Sequence, residues 1–267
     1  MKITTWNINS VRLRLPSLAR LIKEISPDVI CLQETKVRNE LFPGQSLEAL
    51  GYPYQAIAGM KSYNGVAIIS KHPLLKIKVK EWCKKADCRH IFASVNEKNI
   101  GPITIHNFYV PAGGDIPDQT QNLKFAHKLK FLKEVAAWQK RSKKNDLAQI
   151  LVGDLNIAPL PTDVWSHKQL LKTVSHTSVE VEALEKLQQA GEWTDAIREV
   201  ISPAHPLFTW WSYRAKDWRA SNRGRRLDHI WTTQALKKHI SAVDVHQATR
   251  DWDKPSDHVP VTLTLGI

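Results

Sequence analysis

The sequence predicts a single α/β domain, residues 1–267, with predominantly mixed sheets. Three observations carry that expectation. Short apolar runs of strand length recur along the chain. Segments between them place apolar residues at helical spacing. An apolar content of 42% over 267 residues is enough to bury a substantial core, and no fixed-period repeat or low-complexity linker divides it.

Residues 2–9 read as a strand ending in Trp6-Asn7-Ile8-Asn9. Leu15, Leu18, Leu21, Ile22 and Ile25 then fall on one helical face. Pro16 belongs in that helix's first turn, where a missing N–H costs nothing, and Ser26-Pro27 ends it. Residues 29–32 form a short strand from whose end Gln33 and Glu34 hang. Residues 66–70 and 103–110 read as strands, 119–140 as a long basic helix, 148–153 as a strand and 179–190 as a helix. In the last third, 208–213, 227–231 and 259–265 are strand-like, with a Trp- and Arg-rich loop between the first two.

The net charge is +12, from 38 Lys+Arg against 26 Asp+Glu, which favours a polyanionic partner, nucleic acid before others. Binding carried by such charge weakens steeply as salt rises. Three cysteines without a second Cys/His pair exclude a credible zinc site and fit a reducing, cytoplasmic setting, with Cys31 a buried thiol. The chain enters a strand at Met1-Lys2-Ile3 and has no long apolar span, so neither a signal peptide nor membrane insertion is expected.

The chemistry gathers at strand ends. In Gly153-Asp154-Leu155-Asn156 an apolar run stops at an acid and an amide, and side chains two apart on a strand share a face. Ser256-Asp257-His258 sets an acid beside an imidazole just before another apolar run. Asn7 and Asn9, Glu34, Tyr109 and Asp228 occupy similar places. Any one of these is an ordinary cap or turn residue. Their recurrence predicts a polar rim over a rigid core, with the groups that handle a metal, a water and a phosphate. The available ligands are oxygen-rich, which favours Mg²⁺, with Mn²⁺ as substitute, over zinc.

Taken in order, Trp6-Asn7-Ile8-Asn9, Leu32-Gln33-Glu34-Thr35-Lys36, Asn64-Gly65-Val66-Ala67, Asn107-Phe108-Tyr109-Val110-Pro111, Gly153-Asp154-Leu155-Asn156, Arg226-Leu227-Asp228 and Ser256-Asp257-His258 resemble the exonuclease III family of abasic-site endonucleases, within the endonuclease/exonuclease/phosphatase superfamily. The resemblance spans nearly the whole chain. It implies a four-layer αββα sandwich, two mixed sheets packed face to face with helices outside. It further implies that Glu34 is the main metal ligand with Asn7 or Asn9 nearby, and that Asp154 orients and helps deprotonate the attacking water. Asn156 would hold that water or a phosphate oxygen. His258 would contact the scissile phosphate, and Asp228 would fix the imidazole tautomer. Tyr109 would donate to the phosphate, and Asp257 would be a further metal or support ligand. The implied metal set is thus Asn7, Glu34, Asp154, Asn156, Asp257 and His258. Whether Asp154 or His258 takes the proton stays open at this level.

Aromatics interleaved with arginines suit a loop lying against DNA. Trp210, Arg219, Asn222, Arg223, Arg225 and Leu227 are the candidate contacts, with Trp211 expected in the core and His229 packed on the opposite face from Asp228. Trp210 and Leu227 match two walls of the pocket in which the family holds a flipped abasic sugar. Arg225 stands where relatives carry an aromatic or aliphatic residue, and Ala112 where an amide is common. Arg225 is expected to exchange part of the apolar wedge for a phosphate contact. The expected activity is Mg²⁺-dependent cleavage of duplex DNA 5′ to abasic sites together with 3′–5′ exonuclease or 3′-end cleaning, by a monomer. A small-molecule or lipid phosphoesterase of the same superfamily is the alternative reading, and a non-catalytic DNA-binding module a further one.

Overall fold

The computed structural model describes residues 1–142 and 147–267. In chain order its strands are β1 (Lys2–Asn7), β2 (Val29–Gln33), β3 (Tyr54–Ala58), β4 (Val66–Ser70), β5 (Leu74–Val79), β6 (His90–Glu97) and β7 (Gly101–Tyr109). They continue with β8 (Gln149–Asp154), β9 (Thr194–Asp195), β10 (Trp210–Trp211), β11 (Gly224–Arg225), β12 (Asp228–Thr232), β13 (Ile240–Val245) and β14 (Val261–Leu265). One six-stranded sheet runs β13-β14-β1-β2-β4-β3 and the other β5-β6-β7-β8-β12-β9. Both are mixed: β1 pairs parallel with β2, and β7 with β8, while the other pairings are antiparallel.

The central strands are buried on both faces, which explains why they read as continuous apolar runs rather than alternating ones. Val29, Cys31, Val66 and Ile68 of the first sheet meet Ile91, Ile103, Ile105, Ile150, Val152 and Ile230 of the second in the core between the sheets. The intervening side chains point outward. Ile30, Leu32, Ala67 and Ile69 pack under Leu18, Leu21 and Ile22 of the helix Leu15–Ile25. Phe108, Leu151 and Trp231 pack under Phe131, Leu132 and Val135 of the helix Leu123–Ser142 and Leu184 and Leu187 of the helix Ser178–Gly191. The layers are therefore helix, sheet, sheet, helix, as expected.

The helix Leu15–Ile25 starts with Pro in its first turn and ends on Ser26 in the left-handed conformation, φ 52°. The basic helix starts at Leu123 rather than 119, because Asn122 Oδ1 takes the N–H groups of Lys124 and Phe125 as a cap. The expected strand over 208–213 shrinks to the two residues of β10, paired with β11 in a separate ribbon. The strands β3, β5, β6 and β13 lack an expected counterpart. On the edge strand β5, lysines alternate with exposed Leu75, Ile77 and Val79, so its composition does not mark a buried run. Among the described residues no helix is long and apolar enough to cross a membrane. Cys31 is buried in the central core, and desolvation raises its thiol pKa far above the ordinary value.

Candidate active site

Strand register brings the polar residues together at one rim. Tyr109 of β7 lies beside Asp154 of β8, which lies beside Asp228 of β12, so three adjacent strands carry chemistry in one row. Asn7 and Gln33 are paired at the same end of the other sheet. Gly153 makes the row possible. Its φ is 136°, and a Cβ there would lie 1.9 Å from the Phe108 carbonyl oxygen.

Two candidate site residues sit just past their strands in left-handed backbone, Glu34 at φ 50° and Asn156 at φ 54°. This region is unfavourable for side chains as large as glutamate and is held only by surrounding structure. It corrects the expected route to the Asp154–Asn156 pair. The two do not alternate along a strand, since β8 ends at Asp154. The turn folds back instead: the Asn156 backbone N–H donates to Asp154 Oδ1 at 2.9 Å, and its Nδ2 to Asp154 Oδ2 at 3.2 Å and the Val110 carbonyl at 2.9 Å.

The acids share donors. Asn7 Nδ2 donates to Glu34 Oε1 at 3.0 Å and to Asp154 Oδ2 at 2.9 Å, so it binds two carboxylates through N–H groups. Tyr109 Oη also donates to Glu34 Oε1, at 2.8 Å. Lys36 Nζ reaches Glu34 Oε2 at 2.7 Å and Asn9 Oδ1 at 2.6 Å. Burial would raise the Glu34 pKa, but the Asn7 and Lys36 hydrogen bonds and the Lys36 charge bring it below the ordinary value.

Asp228 Oδ2 accepts from Thr209 Oγ1 at 2.6 Å and from His258 Nδ1 at 2.9 Å, which leaves His258 Nε2 facing Asp154 Oδ2 at 3.6 Å. Burial alone would lower the imidazole pKa, yet the Asp228 and Asp154 carboxylates hold it well above the ordinary histidine range. Asp154 moves upward too: burial and the Asp228 charge outweigh the His258 and Asn7 contributions. Tyr109 is pushed up by burial and by the Glu34 and Asp154 charges, so its phenol keeps its proton as a donor. Asp257 accepts from Asn9 Nδ2 and Trp210 Nε1, both at 3.0 Å, and forms no ion pair with Lys254 within 4.0 Å among the described residues.

These residues line a cleft of about 910 Å³ whose lining includes Glu34, Tyr109, Asp154, Asn156, Asp257 and His258, with Trp165, Trp210, Arg223, Arg225 and Leu227 on its wall. Asp154, Asp228 and His258 each offer a ligand atom within 4.8 Å of the others, a possible acidic/His metal site. The donor set suits a hard cation. It is dominated by carboxylate oxygens without a thiolate, and Asp228 Oδ1 is buried without a hydrogen-bond partner.

The predicted DNA contacts divide. Trp210, Arg223, Arg225 and Leu227 line the cleft, and Trp211 is core as expected. Arg219 and Asn222 do not line it. Arg219 is exposed and paired with Asp251, and Asn222 ends a short helical turn in left-handed backbone and accepts from Trp211 Nε1 at 3.1 Å. His229 is buried and donates through Nε2 to the Ile157 carbonyl at 2.8 Å.

Sequence reasoning passed over Thr209, which also accepts the N–H groups of Leu227 and Asp228, and the fully buried pair Lys128–Glu180. Lys128 Nζ donates to Glu180 Oε1, to the Asn156 carbonyl at 2.8 Å and to the Ala112 carbonyl at 3.2 Å. It thus clamps the turn that carries Asn156. Lys36 was visible as the last residue of the Gln-Glu-Thr-Lys string, although its contact with Glu34 was not.

The model of the endonuclease/exonuclease/phosphatase family matches residues 4–258. The chain belongs to that family. Within it the chain is exonuclease III-like: it is 32% identical over 268 residues to exodeoxyribonuclease III of Haemophilus influenzae, with 98% of each chain covered. The fold superposes on an AP endonuclease from Archaeoglobus fulgidus with a TM-score of 0.91 at 30% identity, covering all of both chains. It also superposes on the 3′ phosphatase NExo from Neisseria bound to product DNA hairpin, with a TM-score of 0.89 at 30% identity and 99% of each chain covered.

Proposed function

We propose that this chain is a Mg²⁺-dependent DNA phosphodiesterase of base excision repair that cuts duplex DNA 5′ to abasic sites and trims or cleans 3′ ends. The observation that carries the reading is the line Asp228–His258–Asp154 lying beside Glu34 in a cleft walled by tryptophan and arginine. The named relatives act on DNA, and the +12 charge suits the same partner.

In this reading Asp154 accepts a hydrogen from the attacking water and takes its proton. Its raised pKa makes it a stronger base than an ordinary carboxylate. In this reading His258 keeps its own proton, because the Asp228 and Asp154 charges raise its pKa. It serves as a fixed positive donor facing the phosphate, worth on the order of 10²–10³ in rate for groups of this kind. Asn156 sets the orientation of Asp154. Glu34 would hold the cation, with Asp257 and the buried acceptors of Asp154 and Asp228 close by, and Asn7 and Tyr109 would steady the Glu34 carboxylate. When bound, Mg²⁺, or Mn²⁺ in its place, supplies positive charge that neutralises a phosphate oxygen.

A labelled duplex with one abasic-site analogue tests this reading. Incision with Mg²⁺ and none with EDTA is the expected result. Binding without incision in both tubes would leave a DNA-binding module, and release of phosphate from small esters without DNA cleavage would leave the phosphoesterase alternative.

A further inference from the structure

Beneath the row of acids lies a second polar layer. Side chains two apart on a strand share a face, so Thr5 lies below Asn7 and Asn107 below Tyr109, while Gln33 directly precedes Glu34. Gln33 and Asn107 are fully buried. They belong to different sheets, and Gln33 Nε2 donates to Asn107 Oδ1 at 2.7 Å. Asn107 Nδ2 donates to the Leu32 carbonyl at 3.0 Å and to the Ala67 carbonyl at 2.9 Å, which belong to paired residues of β2 and β4. Gln33 Nε2 also reaches Thr5 Oγ1 at 3.0 Å and the Cys31 carbonyl at 3.2 Å. Two amides thus tie β1, β2 and β4 of one sheet to β7 of the other.

Deeper in the core, Cys31, Val66, Ile105 and Val152 form part of an apolar cluster between the sheets. Apolar contact has no direction, so it holds two sheets together while fixing their relative position less closely than hydrogen bonds do. The bonds that cross between the sheets at the rim, from Asn7 Nδ2 to Asp154 and from Tyr109 Oη to Glu34, are made just above the amide layer. Stability alone does not account for the amides. Gln33 Oε1 is buried without a hydrogen-bond partner among the described residues, a cost that an apolar side chain of similar size would avoid. We propose that Gln33 and Asn107 are positioning residues for the reaction: their bridge sets the gap between the sheets at the rim and so keeps Glu34 against Asn7 and Tyr109, where it would hold the cation. The inference rests on the nuclease reading above.

Gln33→Leu together with Asn107→Leu removes the bridge and strands neither amide. In the chain without DNA, a Mn²⁺ titration read by the electron paramagnetic resonance of the free ion should show Kd raised about tenfold, and kcat for incision of an abasic-site duplex with Mg²⁺ should fall by about the same factor. Thr4→Val with Thr262→Val is the control. It removes a buried hydroxyl pair, 2.8 Å apart, that lies within one sheet, and should leave the Mn²⁺ Kd unchanged. Should the leucine variant not fold, Gln33→Met keeps both Asn107 bonds to the opposite sheet and should raise the Mn²⁺ Kd by a smaller factor, about threefold. An unchanged Mn²⁺ Kd in the folded leucine variant, or in Gln33→Met where only that one folds, would overturn the proposal and leave the nuclease reading intact, as would an equal rise in the threonine control. A wild-type chain that neither binds Mn²⁺ nor cuts DNA with Mg²⁺ would overturn the nuclease reading itself.

Discussion

The floor of the cleft and its wall are built on different principles. On the floor, Asn7, Tyr109 and Asp154 are the last residues of strands, Asp228 is the first residue of one, and each is fixed by ladder pairing to its neighbours. On the wall, Trp210 and Arg225 belong to a two-residue ribbon, and Arg223 and Arg225 rest on the aromatic faces of Trp165 and Trp210. A ladder sets positions closely and tolerates little change. The ribbon is short, tied by backbone bonds such as Thr209 N–H to the Arg225 carbonyl and Trp211 N–H to the Asp257 carbonyl, and lies outside both large sheets. The candidate chemistry thus gathers at strand ends, while the cleft wall is carried by the short ribbon and the loops beside it.

The comparison can be broken most directly at the floor. Asp154→Asn should lower kcat by about 10²–10⁴ with DNA affinity retained, since it removes the base without changing shape. Single-turnover rates and a filter-binding Kd check this, and an unchanged kcat would take Asp154 out of the chemistry. The next largest effect tests the support beneath both regions. Lys128→Met leaves Glu180 charged and buried, and should cost about 3–5 kcal/mol of stability. The Ser175 and Thr177 donors to Glu180 place it at the lower end of that range. Urea unfolding measures the loss, and Lys128→Met combined with Glu180→Leu should recover part of it.

A subtler test concerns the imidazole. With both carboxylates present, His258 stays protonated through neutral pH, and the positive donor is lost only as pH rises past its raised pKa. Asp228→Asn removes the main charge that raises it, so the alkaline limb of the rate profile should move to lower pH. An unmoved limb would assign it to another group. The smallest effect belongs to the outer surface. Arg219 is already neutralised by Asp251, so Arg219→Ala should change the DNA Kd by less than about twofold, as expected for an exposed pair. A much larger change would extend the DNA-binding wall beyond the cleft.

Much of this was legible in the chain. Apolar runs located β1, β2, β4, β7, β8, β12 and β14 to within a few residues, because strand burial is written in consecutive residues. The acids and amides at their ends were legible for the same reason. The wall was less so. Asn222 and Arg219 belonged to the right segment, but in a loop no period tells which side faces the cleft. The buried Lys128 looked like one more cation of a basic helix.

By itself, the sequence determined the two-sided apolar strands, the helical faces, the positive charge and the identity of the strand-end groups, all of which are local properties of the chain. Only the tertiary structure decided that Asn7 would bridge Glu34 and Asp154, that Tyr109 would face Glu34, that His258 would lie between Asp228 and Asp154, and that Arg225 would rest on Ser175 and Trp210. Those contacts join residues up to 147 positions apart. Their geometry follows from sheet order and register, which pairing across the whole chain sets and no single segment encodes.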